Sequence, residues 1–220
     1  MLLFGIFLFG GSLAVVDLGL SEPTALVLDA CLSLVFFIQH SSMLRSSFRK
    51  RMARFVPLYY QTALYSIISG TILMVLVVFW QQSNHIVADV DGGFRWIPHA
   101  VYILGIGGIT WTMLILKDDL AASDPLRAHL RGSSLKPKQF TVAGPYLWVR
   151  HPFYFSILLM IWSCPDLTAD RLLFNIFWTV WIVIGTKLEE RDLVADLGKP
   201  YQEYQRKVPM LMPYRIRRIS

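Results

Sequence analysis

The hydrophobic positions fall in long unbroken stretches rather than alternating singly along the chain. Residues 2–20, 24–39, 58–80 and 96–116 are apolar almost throughout. About 20 apolar residues carry a helix across the hydrocarbon layer, so the first, third and fourth stretches predict comfortable spans and the second a slightly short one. Two further runs, 153–163 and 172–186, flank Cys164-Pro165-Asp166, which reads as the tight tip of a helical hairpin. The run 153–163 is short by itself; it crosses with help from residues 146–149 or stays partly embedded. No basic residue precedes the apolar core of the first stretch, a poor fit to a cleaved signal peptide, so it is expected to be a span. No segment has a persuasive strand pattern. The expected fold is therefore all-α: an integral membrane bundle of about six helices, with a C-terminal hairpin and a cytoplasmic amphipathic tail. It divides into a four-span region (1–116), a polar connecting loop (117–143) that can form a lateral arm, and a hairpin with its tail (144–220).

The basic residues orient this arrangement. Nineteen of the 21 Lys and Arg fall in 41–57, in 117–150 and after Thr186, leaving Arg95 and Arg171 on the other side. Cytoplasmic loops carry such an excess, so both termini are expected in the cytoplasm, with an inner membrane of bacterial type as the location.

Composition agrees: 55% hydrophobic and 16% charged residues, with a mean hydropathy of +0.48, exclude a soluble enzyme, a disordered tail and a coiled coil. The net charge of +6 does not point to nucleic acid, because long apolar runs interrupt the bases. Cys31 and Cys164 are far apart and His85 and His99 isolated, so neither a disulfide framework nor a metal site is expected.

Polar chemistry concentrates after Lys136. In Gly144-Pro145-Tyr146-Leu147-Trp148-Val149-Arg150-His151-Pro152-Phe153-Tyr154 the Gly-Pro pair sets a turn, and Pro152 suits the first turn of a helix. Arg150 and His151 then sit at a helix entrance, where free N–H groups and the dipole make a seat for a carboxylate. His151 and Tyr154 share a face. The competing role for Arg150 is snorkelling to lipid phosphates, and for His151 an interfacial cap. After the last span come Lys187-Leu188-Glu189-Glu190-Arg191-Asp192, then Gly198-Lys199-Pro200-Tyr201-Gln202-Glu203-Tyr204 and Val208-Pro209-Met210. Leu193, Val194 and Leu197 form an apolar stripe, and Gly198 with Pro200 closes the helix. Carboxylates at the mouth of a span need a partner, such as Arg150, Lys187 or a bound cation; otherwise Glu189 and Glu190 belong to a solvated charge run. Tyr201 and Tyr204 taken singly suit interface anchors.

Arg150-His151-Pro152-Phe153-Tyr154, the double Glu ending the next helix, and Gly198-x-x-Tyr201-x-x-Tyr204 ahead of Pro209 resemble the isoprenylcysteine carboxyl methyltransferase and phospholipid methyltransferase superfamily. The likeness covers roughly residues 140–213. The runs 188–194 and 208–213, with Gln39-His40-Ser41, are most similar to its methanethiol S-methyltransferase branch. A small residue, usually Gly, stands in that superfamily two positions after the Tyr; here it is Ser156. The resemblance implies an S-adenosylmethionine-dependent membrane methyltransferase, S-methylating a small thiol or, alternatively, methylating a prenylated cysteine or a lipid. It implies cofactor contacts at Tyr146, Arg150, His151, Pro152, Tyr154, Glu189, Glu190, Tyr201 and Tyr204, with Arg150 and His151 also catalytic. Arg150 suits the cofactor carboxylate, the glutamates its ribose or amine, and Tyr154 with His151 its adenine. A related fold serves NADPH-dependent membrane reductases; a channel or assembly factor would leave the Arg-His-Pro and Glu-Glu clusters unused. His40, level with this cluster, is expected to line an acceptor pocket, to cap its helix or to add to the basic character of the following loop. Asp29 and Asp17 are expected to be interfacial or structural.

Overall fold

The computed structural model describes residues 2–122, 130, 132 and 142–214. Its helices are α1 (Leu2–Gly10), α2 (Glu22–Leu44), α3 (Ser46–Met52), α4 (Leu58–Phe79), α5 (Trp96–Ala122), α6 (Pro152–Ile161), α7 (Ala169–Leu197) and α8 (Lys199–Lys207), with 3-10 turns at Gly92–Arg95 and Gly144–Leu147. Among the described residues four helices are long and apolar enough to cross a membrane, spanning Glu22–Leu44, Tyr59–Phe79, Gly92–Leu116 and Ala169–Leu197. The expected connecting loop falls mostly outside the described residues, as does the tail beyond Tyr214.

Residues 2–20 do not form one helix. α1 has nine residues, about 14 Å at 1.5 Å per residue. Beyond it the chain turns irregular, with positive φ at Gly11, Ala14 and Gly19. The segment stays apolar yet leaves the helix because side chains satisfy its backbone. The guanidinium of Arg171, itself buried, donates to the carbonyls of Phe7 and Leu8 at 2.9 and 2.7 Å. Gln81 accepts from the amide of Leu18 and donates to the carbonyl of Val16. In lipid every backbone polar group needs such a partner. α6 is likewise short, at ten residues, so α1 and α6 each cover about half the hydrocarbon thickness.

α2 is longer than anticipated, because Ser21, Glu22 and Pro23 supply a helix start upstream and Gln39-His40-Ser41 continues the helix downstream. α7 has 29 residues, about 43 Å. Its last turns therefore project from a 30 Å layer and carry Glu189 and Glu190 to the membrane edge. Gly198, at φ +65°, ends it as expected.

At the opposite end lies an unanticipated two-stranded antiparallel ribbon, β1 (Ile86–Asp89) with β2 (Asp166–Thr168). Strands of four and three residues are too short to leave a pattern in the sequence. Asp170 accepts there from the Trp80 indole and the Ser83 amide, and Asp29 from the Gln81 amide. Both acids thus tie down the exit of α4, the structural role expected for Asp29.

The core is an aromatic stack at the centre of the bundle. Phe7 meets Phe174 edge-on at 5.1 Å between centroids, Phe174 stacks on Trp178 at 4.8 Å, and Trp178 stacks on Phe36 at 5.1 Å. α5 and α6 approach more closely than ordinary side chains allow. A Cβ on Gly105 would come within 2.9 Å of the Ser156 carbonyl oxygen, and one on Gly108 would collide with the Ser156 hydroxyl. Small residues at such crossings let membrane helices pack backbone to backbone. Ser156 is small enough because its hydroxyl folds back onto the Pro152 carbonyl.

Candidate active site

The entrance of α6, the end of α7 and the tail meet in one place. The amides of Arg150 and His151 donate to the carbonyls of Pro209 and Met210 at 2.9 and 3.1 Å, so the tail runs alongside the entrance of α6. Arg150 inserts between them. Its Nε donates to Glu190 Oε1 at 2.6 Å, and its Nη1 to the carbonyls of Gln205, at 2.9 Å, and Val208. Glu190 also accepts from His151 Nε2 at 3.2 Å and from the Gln205 amide at 3.1 Å. The Arg150 and Glu190 side chains are 10% and 12% exposed, and His151 is 6% exposed.

This arrangement reassigns two expectations. Nε and Nη1 of Arg150 and the two amides before α6 are taken by the protein itself, so they form a clamp that locks the tail onto the hairpin. Glu190, expected to need Arg150 or a cation, has Arg150. Removing one partner of such a buried pair leaves an uncompensated charge.

Glu189 is different. It is 46% exposed, with Oε2 3.9 Å from His151 Nδ1. The Tyr154 hydroxyl donates to it, and Tyr154 stacks on His151 at 5.8 Å with 28° between the rings. The Tyr146 hydroxyl feels the same carboxylate, and its pKa is pushed up to about 12, chiefly by burial and then by Glu189. Burial holds the His151 pKa below its ordinary value against the opposing pull of Glu189 and Glu190. The result is a carboxylate with spare acceptor capacity, walled by a neutral imidazole and two phenols. Such a set fits a cation carrying an aromatic base: the carboxylate takes an ammonium or a ribose diol, and the rings take adenine or a sulfonium.

Tyr201 and Tyr204 are buried with Val208 against Val142, Leu193, Val194 and Leu197. Tyr204 donates to the Tyr146 carbonyl at 2.6 Å. Burial drives both phenol pKa values upward. Their placement fixes α8 beneath α7 and buries both rings, and the Tyr201 phenol also feels the charges of Glu190 and Glu189. Pro152 is buried at the first turn of α6 and sets the direction of that helix.

His40 is not part of the Arg150 cluster. It lines a neighbouring cavity of about 330 Å³, its ring nitrogens 3.0 and 3.1 Å from the Tyr65 hydroxyl. Tyr65 and Gln205 had no place in the expectations from sequence. A signal for Tyr65 does exist: Gln61, Tyr65 and Ser69 recur every four residues on α4, a polar stripe facing inward. Gln205 carries none, because a lone Gln in a polar tail is unremarkable until Glu190 stands opposite it. Among the described residues no group of three or more metal-ligating side chains occurs.

No protein-family model matches the chain, and no solved structure matches it significantly. Sequence relatives are informative. The chain is 38% identical over 200 residues to a methanethiol S-methyltransferase of Pseudomonas sp., covering 90% of this chain and 76% of that protein. It is 32% identical over 203 residues to the enzyme of that name from Mycobacterium tuberculosis, covering 90% and 83%. A more distant likeness is to Nurim from Xenopus laevis, 27% identical over 194 residues and covering 81% and 67%. With this identity sustained along nearly the whole sequence, the chain belongs to the methanethiol S-methyltransferase family of membrane methyltransferases.

Proposed function

We propose that the protein transfers a methyl group from S-adenosylmethionine to methanethiol, giving dimethyl sulfide, at the end of the bundle where α6, α7 and the tail meet. That end also carries Arg49, Lys50 and Arg51 on α3, so by the positive-inside rule it faces the cytoplasm, where the cofactor is made available.

The observation that carries the reading is the division of labour between adjacent glutamates. Glu190 is consumed by Arg150, while Glu189 keeps an accessible carboxylate beside His151 and Tyr154. Glu189, Tyr154, His151 and Tyr146 would hold the cofactor; when bound, it supplies an electrophilic methyl group on a sulfonium. These residues bind and orient, and the clamp under them holds their wall in place. A reaction that cancels the sulfonium charge gains more from alignment and dryness than from a strong acid. The same layout would serve a larger acceptor; methanethiol is the acceptor for which the relatives are named.

Purified protein in detergent should bind labelled S-adenosylmethionine, and Glu189→Gln should weaken that binding at least tenfold while leaving the fold intact. With methanethiol added, gas chromatography of the headspace should show dimethyl sulfide. Cofactor binding with no volatile product, and turnover of a prenylcysteine or lipid instead, would reject the thiol acceptor and keep the class. Unchanged cofactor affinity in Glu189→Gln would reject the site.

A further inference from the structure

Beside the Glu189 site lies a compartment that differs from it in every respect. The cavity of about 330 Å³ is bounded by α1, α2 and α4, with Phe4, Phe36, Leu73 and Val77 among its apolar walls. Its polar end is His40 with Tyr65. Tyr65 bonds His40 on one side, neighbours Ser69 on the other, and Ser69 accepts from Gln39 at 3.1 Å. The Tyr65 hydroxyl also lies within electrostatic reach of Tyr154, the residue that donates to Glu189. The polar end of the cavity therefore faces the side of the bundle that carries the Glu189 site. At the other side Gly70 and Met74 line the cavity from exposed positions on α4, so it opens sideways toward the lipid.

We propose that this cavity is the acceptor site, that it admits a small uncharged alkyl thiol from the bilayer, and that His40, held by Tyr65, takes the thiol proton. The assignment rests on the proposed methyl transfer. A thiol partitions into such an apolar pocket only in its neutral form, because a thiolate would lose its hydration. It must nevertheless react as the thiolate. Both imidazole nitrogens face the Tyr65 hydroxyl, at 3.0 and 3.1 Å; a turn of the ring that keeps one of these bonds frees the other nitrogen to act as the base. The S–H bond breaks, its proton goes to His40, and its electron pair stays on sulfur to form the new bond to the methyl carbon. The carbon–sulfur bond of the sulfonium breaks in the same step, and its electrons remain on the departing sulfur. The single positive charge passes from the sulfonium to the imidazolium, which then loses the proton to water.

Gly70 tests the cavity without disturbing the fold, since a Cβ there meets nothing within 4 Å. Gly70→Leu fills the cavity and should lower kcat/KM for butanethiol at least tenfold more than for methanethiol, with S-adenosylmethionine affinity unchanged. Saturation-transfer NMR on the cofactor-free protein should detect bound butanethiol in the parent and lose it in Gly70→Leu. His40→Phe should lower kcat for methanethiol about 100-fold, the low end for loss of a general base, with KM and cofactor affinity nearly constant; Tyr65→Phe should fall between. Unaltered thiol binding and chain-length preference in Gly70→Leu would overturn the cavity assignment, and parental kcat in His40→Phe would overturn the role of His40. The NMR measurement needs no cofactor, so it decides the cavity even if the methyl-transfer reading fails.

Discussion

Glu190→Ala separates the structural carboxylate from its functional neighbour. The substitution deletes the acceptor of Arg150 at 2.6 Å, of His151 at 3.2 Å and of Gln205 at 3.1 Å. It leaves a guanidinium with one-tenth of its surface exposed. Removing one partner of a buried pair costs about 3–5 kcal/mol. Arg150 keeps its bonds to the carbonyls of Gln205 and Val208, so the lower figure applies, about 3 kcal/mol. At 1.4 kcal/mol per tenfold, the fraction of molecules with the tail detached should rise by roughly two orders of magnitude. Trypsin reads that fraction directly, because Lys199, Arg206 and Lys207 lie on α8 and cleavage of a transiently opened segment follows its population. Glu189→Ala is the internal comparison. Its carboxylate is half in solvent, so its loss should cost under about 1 kcal/mol and change cleavage less than fivefold while abolishing cofactor binding. Equal cleavage rates in the two variants, or Glu190→Ala within threefold of the parent, would refute the clamp.

Acid should loosen the same contact. Because the His151 pKa in the folded protein lies below the ordinary 6.5, the unfolded chain takes up the proton first. The stabilisation is thus complete above about pH 6.5 and lost as the pH falls toward the folded value. The melting temperature in detergent should drop between pH 7.5 and 5.5, and less steeply in His151→Gln; parallel slopes would show that His151 is not responsible. At the crossing of α5 and α6, Gly108→Ala should destabilise by about 1–3 kcal/mol through its collision with Ser156. Ser156→Gly should restore most of the loss, and additive melting shifts in the double variant would place the clash elsewhere.

Much of the site was legible because its chemistry is expensive at a membrane edge. A double Glu at the mouth of an apolar span and an Arg-His pair before a Pro invite the inference that they meet, and Arg150 with Glu190 does. What they do on meeting was not legible. Arg150 looked like an anion receptor until the carbonyls of Gln205 and Val208 engaged its Nη1, and those carbonyls come from a segment more than 50 residues away. Tyr201 and Tyr204 looked like interface anchors because an amphipathic helix has a buried face only once something covers it. The break after Gly10 was hidden by hydropathy, which registers apolar side chains but not the backbone bonds that Arg171 and Gln81 provide from elsewhere.

Sequence alone determined the environment, most of the crossing segments and the end of the bundle where the chemistry gathers, since transfer of apolar side chains into lipid and the bias of basic residues are properties of segments taken one at a time. The tertiary structure decided which carboxylate is spent on a clamp and which is left free, and that His40 and Tyr65 share a separate compartment. Those outcomes depend on which donors and acceptors saturate one another across distant helices, and a hydrogen-bonding group has no fixed role until its partners are in place.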